Sequence, residues 1–379
     1  MNILFVDQYS DLGGAQQCLL DLIPAIRQAG WTATCTAPGD GALSERLRVL
    51  GTPFQSLPVL SMAAGAKRAA DFVRFTFAVP LFARHISRAA RETRADLLYV
   101  NGPRMLPVSA WVARQTGIPL LFHAHNHLAQ SSAAALAGRS LQLARARVIA
   151  CCRYAGRPLW PYIDPGRLRV IYNGVPPSSR AEPASRDPVR SIGIVGRVSP
   201  EKGHLEFIQA ARLIAQSDPS LTFTVCGAPL FGDRNAARYF DQVRRAAGGI
   251  RVEFTGWQDD VSAVLSRLDV LVVPSLREPG APRVVLEAYA ARVPVVAFVS
   301  GGIPEIVRDG ETGFLVEPPT PEALAARLQQ LLAAPEQLRH IAESAYAAWK
   351  EEFTVARYQR EVLEVIGLTQ TRAAAGLSI

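Results

Sequence analysis

Cysteine is scarce in this 379-residue sequence, and its spacing gives it no obvious structural role. Five cysteines occur, an odd number with no Cys-x-x-Cys pair: Cys18, Cys35, Cys151, Cys152 and Cys226. This excludes a fully paired disulfide framework and a cysteine-based zinc site. We therefore expect a reducing, cytoplasmic environment.

The sequence also has no long apolar run and no pattern typical of a signal peptide. No window offers the roughly 18 uncharged apolar residues that a membrane-spanning helix needs. The N-terminus, MNILFVDQYS, has no basic region and reaches Asp7 after a short apolar run, so it predicts a buried first strand rather than a signal peptide. A composition of 49% apolar and 20% charged residues is ordinary for a globular protein, and the length suits two domains.

Acidic residues are scarce in the first half of the chain. Residues 1–180 hold 20 Lys and Arg against 9 Asp and Glu, a net charge of +11, whereas residues 181–379 hold 21 against 24, a net charge of −3. Such asymmetry favours an anionic partner for the N-terminal half: nucleic acid, an anionic membrane or a phosphorylated substrate. The alternative is an arginine-rich solvated surface. Since no nucleic-acid-reading motif is present, we expect no nucleic-acid partner.

Short aliphatic runs alternate with helical stretches, which predicts two doubly wound parallel sheets. Runs such as NILFV and DLLYV precede helical segments, and the alternation restarts at SIGIV after a stretch rich in Pro and Ser. The predicted organisation is an N-terminal Rossmann-like domain at 1–176, a linker at 177–190 and a C-terminal Rossmann-like domain at 191–354. A helix at about 355–379 is expected to complete the first domain.

Two loops that follow predicted strands have the composition of anion sites, because ligands of parallel sheets bind beyond the carboxyl ends of the strands. Gly13 and Gly14 precede a helix, where backbone N–H groups and the helix dipole can meet an anion; a plain tight turn explains them equally well. In GRVSPEKGH, Arg197 and Lys202 can together neutralise a diphosphate without a metal. A solvated charged turn is the alternative.

Several motifs of the second half together resemble the retaining family 4 glycosyltransferases, which have the GT-B fold. They are GRVSPEKG, VEFTGWQDDV, IYNGV and the stretch from LVVPSLREPGAPRVVLEAYAARVPVVAF to GFLV. The first half carries the resemblance more loosely, through GGA and HAHNH. The resemblance implies two Rossmann-like domains facing a central cleft, with the nucleotide-sugar bound by the C-terminal domain and the acceptor by the N-terminal one.

The resemblance also implies roles for individual residues. Arg197 and Lys202 would hold the leaving diphosphate, His125 and Glu278 would approach the donor sugar, and Glu287 would receive the ribose hydroxyls. The remaining donor-binding positions would be Gly14, Gly196, Gly227, Gly256, Trp257, Gly280 and Ala281. Acceptor-binding positions would be Gly13, Asn101 and His127. No cofactor is expected, and a UDP-sugar is favoured over a GDP-sugar.

Three histidines alternate in HAHNH, and they raise the question of a metal site. His123, His125 and His127 have no accompanying carboxylate or cysteine, so we expect no metal here. Their predicted places are the sheet interior for His123 and the cleft for His127.

The spacing from Glu278 to Glu287 is nine, one more than the family pattern. Pro282 suits the first turn of a helix, so the extra residue is expected in the loop PGA, with Glu287 in place and Glu278 displaced.

The predicted function is retaining transfer of a sugar from a nucleotide-diphosphate donor to a sugar or lipid-linked acceptor, in the synthesis of a cell-envelope glycan. The alternatives are a GT-B epimerase or phosphorylase and a noncatalytic nucleotide-sugar binder.

The segment from Lys67 to Arg94 mixes arginines with phenylalanines, which favours peripheral contact with the anionic cytoplasmic membrane. Pro80 predicts that this segment forms two short helices. Buried helices with arginines in water are the alternative. The sequence carries no signal for an oligomeric state.

Overall fold

Strands and helices alternate along the chain, as a doubly wound α/β protein requires. The computed structural model describes residues 1–59, 69–178, 189–229 and 234–375. The chain divides into unit 1, formed by Met1–Asn173 and Val355–Ile379, and unit 2, formed by Gly174–Thr354. The division lies three residues before the boundary expected at 176, and most of the expected linker, at 179–188, lies outside the described residues.

Unit 1 contains a parallel sheet whose strand order is β3-β2-β1-β4-β5-β6-β7. Its strands are β1 (Asn2–Asp7), β2 (Thr32–Pro38), β3 (Phe54–Leu57), β4 (Leu97–Asn101), β5 (Leu120–Ala124), β6 (Arg147–Ala150) and β7 (Leu168–Val170). Its helices, with two short 3₁₀ segments at Arg157–Tyr162 and Pro165–Arg167, are α1 (Gly14–Gln28), α2 (Ala42–Val49), α3 (Ala69–Glu92), α4 (Leu106–Thr116), α5 (Ser131–Leu143) and α6 (Arg153–Gly156).

The sheet of unit 1 is buried on both faces, because successive side chains of a strand point to opposite sides. Along β1, Ile3 and Phe5 join a core that includes residues of α1 and α2. Leu4 and Val6 join a second core, on the side of α3, α4 and α5. A continuous apolar run such as NILFV is the sequence pattern that such a strand needs.

Helix α3 corrects the prediction of two short helices around Pro80. The helix continues through this residue from Ala69 to Glu92. Phe82 and Ile86 are buried in the core of unit 1, and their packing stabilises the helix beyond the proline. Phe82 is therefore not available to a membrane. Lys67 and Arg68 lie outside the described residues.

Unit 2 contains a second parallel sheet, of strand order β10-β9-β8-β11-β12-β13. Its strands are β8 (Ser191–Val195), β9 (Thr222–Cys226), β10 (Val252–Gly256), β11 (Val270–Val273), β12 (Val295–Phe298) and β13 (Phe314–Val316). Its helices, with a 3₁₀ turn at Pro200–Lys202, are α7 (His204–Ser217), α8 (Arg234–Ala246), α9 (Val261–Leu265), α10 (Arg283–Ala290), α11 (Ile303–Ile306), α12 (Pro321–Leu332) and α13 (Pro335–Glu352). The predicted fold class, two doubly wound parallel sheets, is confirmed.

The last helix, α14 (Val355–Ala375), belongs to unit 1. Tyr358, Val362 and Ile366 are fully buried in the same core as Ile3 and Phe5. In the described part of the chain, no helix is both long enough and apolar enough to cross a membrane.

Each sheet has one position where the strand order reverses. It lies between β1 and β4 in unit 1 and between β8 and β11 in unit 2. The loops at the carboxyl ends of such a strand pair diverge to opposite faces of the sheet and leave a crevice, where open α/β sheets bind their ligands.

Candidate functional site

The loop after β8 carries the two predicted cations and lies at the crevice of unit 2. Arg197 follows Gly196 directly, and Lys202 ends the 3₁₀ turn Pro200–Lys202. Gly203 has φ +73°, and a Cβ there would lie 1.9 Å from the Pro274 carbonyl oxygen. Only glycine allows this close contact, which brings the loop after β8 against the loop after β11.

Lys202 is held by Glu278, which comes from the loop after β11. Its Nζ lies 2.6 Å from Glu278 Oε2. The Ser275 hydroxyl donates to the same oxygen at 2.9 Å, and the Glu278 amide donates to Ser300 Oγ at 2.9 Å. Glu278 is 4% exposed. Burial and short contacts make this a strong ion pair rather than a solvated surface contact.

Arg197 has a carboxylate partner within its own loop. Its Nη2 lies 3.3 Å from Glu201 Oε1, and about a third of each side chain is exposed. The Glu201 carbonyl accepts the amides of Leu276 and Arg277, which ties the two loops together. The structure thus brings Arg197, Lys202 and Glu278 into one connected set of loops.

Three predicted glycines lie side by side at the carboxyl ends of β8, β9 and β10. The Gly227 amide donates to the Gly256 carbonyl at 2.8 Å, and Gly196 donates to the carbonyl of Cys226 at 2.9 Å. Gly227 has φ +145°, and a Cβ there would lie 1.9 Å from the Gly196 carbonyl oxygen. Backbone without side chains at this edge allows a ligand to approach closely. Trp257, next in the chain, is 42% exposed.

Glu287 lies in the second turn of α10, with its carboxylate 3.5 Å from Arg283 Nε. Arg283 is 8% exposed by its side chain and also donates to the Gly174 carbonyl at 3.0 Å. The helix begins at Arg283 with Pro282 as its extended N-cap, so the predicted start at Pro282 is wrong by one residue. Gly280 and Ala281, which precede it, are buried.

His204, directly after the two-cation loop, adds no third positive charge. Burial, and secondly the charge of Lys202, lower the pKa of its ring from 6.5 to about 3. The ring is therefore neutral at physiological pH.

At the crevice of unit 1, β1 and β4 end on polar residues that pair in register, Asp7 with Asn101. Asn101 Nδ2 donates to Asp7 Oδ2 at 2.5 Å and to the Ala15 carbonyl at 3.2 Å. The other carboxylate oxygen of Asp7 accepts the amide of Tyr9 at 2.9 Å and Gln16 Nε2 at 2.8 Å. The predicted residues Gly13 and Gly14 begin α1 beside this network, as its N-cap and first residue.

Asp7 is the polar residue of this site that the sequence reasoning missed as a functional residue. It is completely buried, and burial raises the pKa of its carboxyl from 3.8 to about 6 against the opposing effect of its hydrogen bonds. A carboxylate at the carboxyl end of the first strand was the available signal, although a charge there is compatible with an ordinary loop.

The three histidines occupy three different environments. His123 lies in β5, buried, with its Nδ1 2.7 Å from the Tyr99 hydroxyl, and burial lowers its pKa well below the ordinary value. His125 follows the end of β5, and its Nε2 lies 2.7 Å from Asn101 Oδ1. His127 lies further along the loop, stacked on Tyr154. In the described residues no group of three or more His, Cys, Asp or Glu is arranged to hold a metal ion.

Two family profiles together cover most of the chain. The profile described as "Glycosyltransferase Family 4" matches residues 12–179, and "Glycosyl transferases group 1" matches residues 177–348. The chain belongs to the family 4 glycosyltransferases. The family resemblance that the sequence motifs indicated is thereby confirmed.

Curated relatives are 31% identical to this chain over the part that aligns with it. The D-inositol 3-phosphate glycosyltransferase of Salinispora tropica is 31% identical over 68% of this chain and 61% of its own. The alpha-maltose-1-phosphate synthase of Mycolicibacterium smegmatis is 31% identical over 54% of this chain and 58% of its own. This family 4 glycosyltransferase therefore spans about three fifths of the length of these relatives.

Solved structures match this family 4 glycosyltransferase along nearly its whole length. Anabaena HepE in complex with UDP-glucose has a TM-score of 0.82 at 25% identity, covering 97% of this chain and 99% of that one. Sucrose-phosphate synthase from Thermosynechococcus elongatus has a TM-score of 0.78 at 21% identity, covering 99% and 100%. The second likeness concerns the fold alone.

Proposed function

We propose that this protein is a retaining, metal-independent glycosyltransferase that takes a sugar from a UDP-sugar. The observation that carries the proposal is the pair Arg197 and Lys202 in the loop after β8, with Lys202 held by the buried Glu278 at the crevice of unit 2. Two cations on a preorganised loop are what a leaving diphosphate needs. The likeness to HepE, whose structure contains UDP-glucose, supports a uridine nucleotide.

The donor would bind in unit 2 through backbone and charge. The edge formed by Gly196, Gly227 and Gly256 lets the nucleotide lie close to backbone amides, and the exposed indole of Trp257 is beside it. Glu287 would accept the two ribose hydroxyls, with Arg283 holding its carboxylate in position. Gly280 and Ala281 would line the same loop. These assignments follow the family resemblance.

In the proposed reaction an acceptor oxygen attacks the anomeric carbon as the bond from that carbon to the β-phosphate breaks. Attack and departure occur on the same face, so the configuration is retained, and a leaving phosphate oxygen takes the acceptor proton. Arg197 and Lys202 stabilise the negative charge that develops on the phosphate. The protein supplies position and charge and forms no covalent intermediate.

Glu278 has a role before the donor arrives. Its carboxylate already neutralises Lys202, so the diphosphate must share or replace this partner. The exchange keeps the ammonium in one place in both states, which reduces the reorganisation needed in the transition state. Glu278 is then close to the phosphate end of the donor, where a contact with the sugar is also within its reach.

The acceptor would be bound by unit 1, through Gly13, Asn101 and His127. Arg104 lies in the loop after β4 with its guanidinium 4.9 Å from the centre of the Tyr9 ring, and its amide donates to Gln8 Oε1 at 3.1 Å. A cation held in this way, in a half of the chain with a net charge of +11, suits an acceptor that carries an anionic group. We propose a sugar or lipid-linked phosphate acceptor used in cell-envelope glycan synthesis at the cytoplasmic face of the membrane.

The test is release of UDP from a panel of UDP-glucose, UDP-galactose, UDP-N-acetylglucosamine and GDP-mannose, with EDTA present and no acceptor added. We expect slow release from one UDP-sugar, lowered about 100- to 1000-fold by Arg197→Ala or Lys202→Ala, the size of a lost oxyanion donor. Arg267→Ala, at the opposite end of the unit 2 strands, is the control and keeps wild-type release.

Three results would contradict the proposal. They are wild-type rates in both loop variants, a strict requirement for Mg²⁺, and binding of all donors without any release, which favours a noncatalytic binder. Conversion of the donor to its epimer, or release that depends on added phosphate, indicates an epimerase or a phosphorylase instead.

A further inference from the structure

The amide of Asn101 can take only one orientation in this site. Its Nδ2 faces the Asp7 carboxylate and the Ala15 carbonyl, which at neutral pH are both acceptors without a proton to donate. The NH₂ group must therefore lie on that side, and Oδ1 must lie on the other. Asp7 is the stronger of the two partners, since its contact is 2.5 Å and it carries the charge.

This orientation decides which nitrogen of His125 carries the proton. Asn101 Oδ1 is an acceptor 2.7 Å from His125 Nε2, so Nε2 must be the donor. In the neutral ring the other nitrogen, Nδ1, then has the lone pair. The His123 ring lies 3.8 Å away between centroids, and the Cys151 thiol donates to the His125 carbonyl at 3.2 Å, so ring and backbone are both held.

We propose that Asp7 is a positioning residue that, through Asn101, holds neutral His125 as the Nε2–H tautomer with Nδ1 as its acceptor nitrogen. Asp7 does not itself meet the substrate. This inference rests on the proposed function only for the statement that His125 lies in the sugar-transfer site. The tautomer itself is a property of unit 1 alone.

In Asp7→Asn the orientation of the introduced amide is fixed, because the backbone amide on one side of residue 7 cannot become a hydrogen-bond acceptor. The Tyr9 amide can only donate, and Gln16 Nε2 faces the same oxygen of residue 7. The introduced amide therefore keeps its oxygen on that side and turns its NH₂ toward Asn101. Asn101 then rotates its own oxygen toward residue 7 and its NH₂ toward His125 Nε2, and it gives up the longer, 3.2 Å hydrogen bond to the Ala15 carbonyl. That nitrogen becomes an acceptor, so the proton moves to Nδ1.

The experiment is nitrogen NMR of the full chain labelled with ¹⁵N at histidine, at pH 7.5. The chain has six histidines, and His125→Gln identifies the His125 signals by their loss. We expect His125 of the wild type to show a protonated Nε2 and an unprotonated Nδ1, and Asp7→Asn to show the reverse. Gln16→Met is the matched control: it removes a different donor from Asp7 and leaves Asn101 in place, so its tautomer stays as in the wild type.

UDP release by the same proteins gives the second readout. We expect the turnover number of Asp7→Asn to fall at least 10-fold, with its melting temperature at pH 7.5 no lower than that of the wild type, and Gln16→Met to remain within about 3-fold. A merely structural role of Asp7 would lower stability and turnover together.

The proposal is overturned if the wild-type ring is Nδ1–H or carries a proton on both nitrogens, a measurement that needs no variant, or if folded Asp7→Asn keeps the wild-type tautomer. Should Asp7→Asn not fold, Asn101→Ala with Asp7 intact must show a mixture of tautomers, and a retained single Nε2–H form there overturns it equally. A wild type with the expected tautomer but no sugar release contradicts the proposed function and leaves this inference standing.

Discussion

At the residue scale, Glu278 and Glu287 are expected to differ in what they do for the nucleotide. Glu278→Gln removes the carboxylate beside Lys202 Nζ and keeps the side-chain size. We expect UDP to bind within a few-fold of the wild type, because the phosphate can itself neutralise Lys202, while turnover falls. Glu287→Gln should weaken UDP by about 1.5–3 kcal/mol, or about 10- to 150-fold, through loss of charged hydrogen bonds to the ribose.

Calorimetry with UDP and no sugar separates the two variants. Arg283 loses its charged partner in Glu287→Gln, so its melting temperature is measured beside its affinity. Loss of UDP binding in Glu278→Gln with normal binding in Glu287→Gln would mean that the ribose contact is made by Glu278, and that the placement of the extra residue in the loop PGA, with Glu287 in register, is wrong.

Asp7 should make the stability of unit 1 depend on pH. Its pKa is raised from 3.8 to about 6, so its contribution to folding is fully present below pH 3.8 and is lost as the pH rises through 6. The difference between these values is worth about 3 kcal/mol. We expect Asp7→Asn to gain about this much free energy of unfolding relative to the wild type between pH 4 and pH 7.5.

Urea unfolding at the two pH values, followed by a probe in unit 1, measures this gain. Gln16→Met keeps the carboxylate but removes a hydrogen bond that lowers its pKa, so its stability should depend on pH at least as strongly as that of the wild type. A difference between Asp7→Asn and the wild type that stays constant from pH 4 to pH 7.5 would show that Asp7 has the same pKa in the folded and unfolded chain.

Motif residues could be predicted from the sequence, but their partners could not. Arg197, Lys202 and Glu278 were recognisable in loops after apolar runs, and the structure brings them together. The Lys202–Glu278 contact joins residues 76 positions apart, and no local pattern indicates which carboxylate a lysine will meet. Asp7 was missed for the same reason: its neighbour Asn101 lies 94 residues away and is adjacent only through strand order.

At the element scale, strands with continuous apolar runs were predictable and the outer ones were less so. β11 is the aliphatic run VLVV, and β1 contains the continuous apolar run ILFV. β2 has the sequence TATCTAP and β3 the sequence FQSL, in which small and polar residues leave no clear hydrophobic period. These strands are set by pairing with β1 and β2, which is a tertiary effect.

The exposure of side chains on helix α3 shows which residues of this segment are available for contact with a membrane. Its exposed cations include Arg84, Arg88 and Arg91, whereas Phe82 is buried. Contact of these arginines with an anionic surface would be electrostatic, worth about 1 kcal/mol for each arginine near the membrane. We expect the protein to float with phosphatidylglycerol liposomes at low salt and to dissociate at about 0.5 M NaCl, where screening is strong.

A pair of charge reversals tests which element makes this contact. Arg84→Glu with Arg91→Glu should abolish flotation. Arg238→Glu with Arg245→Glu on α8 is the control, since these exposed arginines have the same seven-residue spacing in unit 2. Equal loss with both pairs would mean that net charge matters and α3 does not. No flotation of the wild type would favour a freely diffusing acceptor.

At the scale of the whole molecule, two chemical environments are built on one topology. Both sheets reverse their strand order beside the first strand of the unit, and candidate residues of each unit lie at or next to that reversal. In unit 2 these are cations with carboxylate partners, and in unit 1 they are the Asn101 amide, which Asp7 holds, and His125, which faces that amide. In the proposed function, unit 2 would supply charge for the leaving phosphate and unit 1 would supply hydrogen bonds for sugar hydroxyls.

The most direct test of the proposed reaction is proton NMR of the full-length protein with the UDP-sugar that the panel selects, in EDTA and without acceptor. Water then replaces the acceptor, and the first sugar released reports the stereochemistry before the anomers equilibrate. The account predicts that UDP and the α-anomer of the sugar appear together, and that neither appears with Lys202→Ala. Release of the β-anomer first, or no release of UDP from any UDP-sugar, would contradict it.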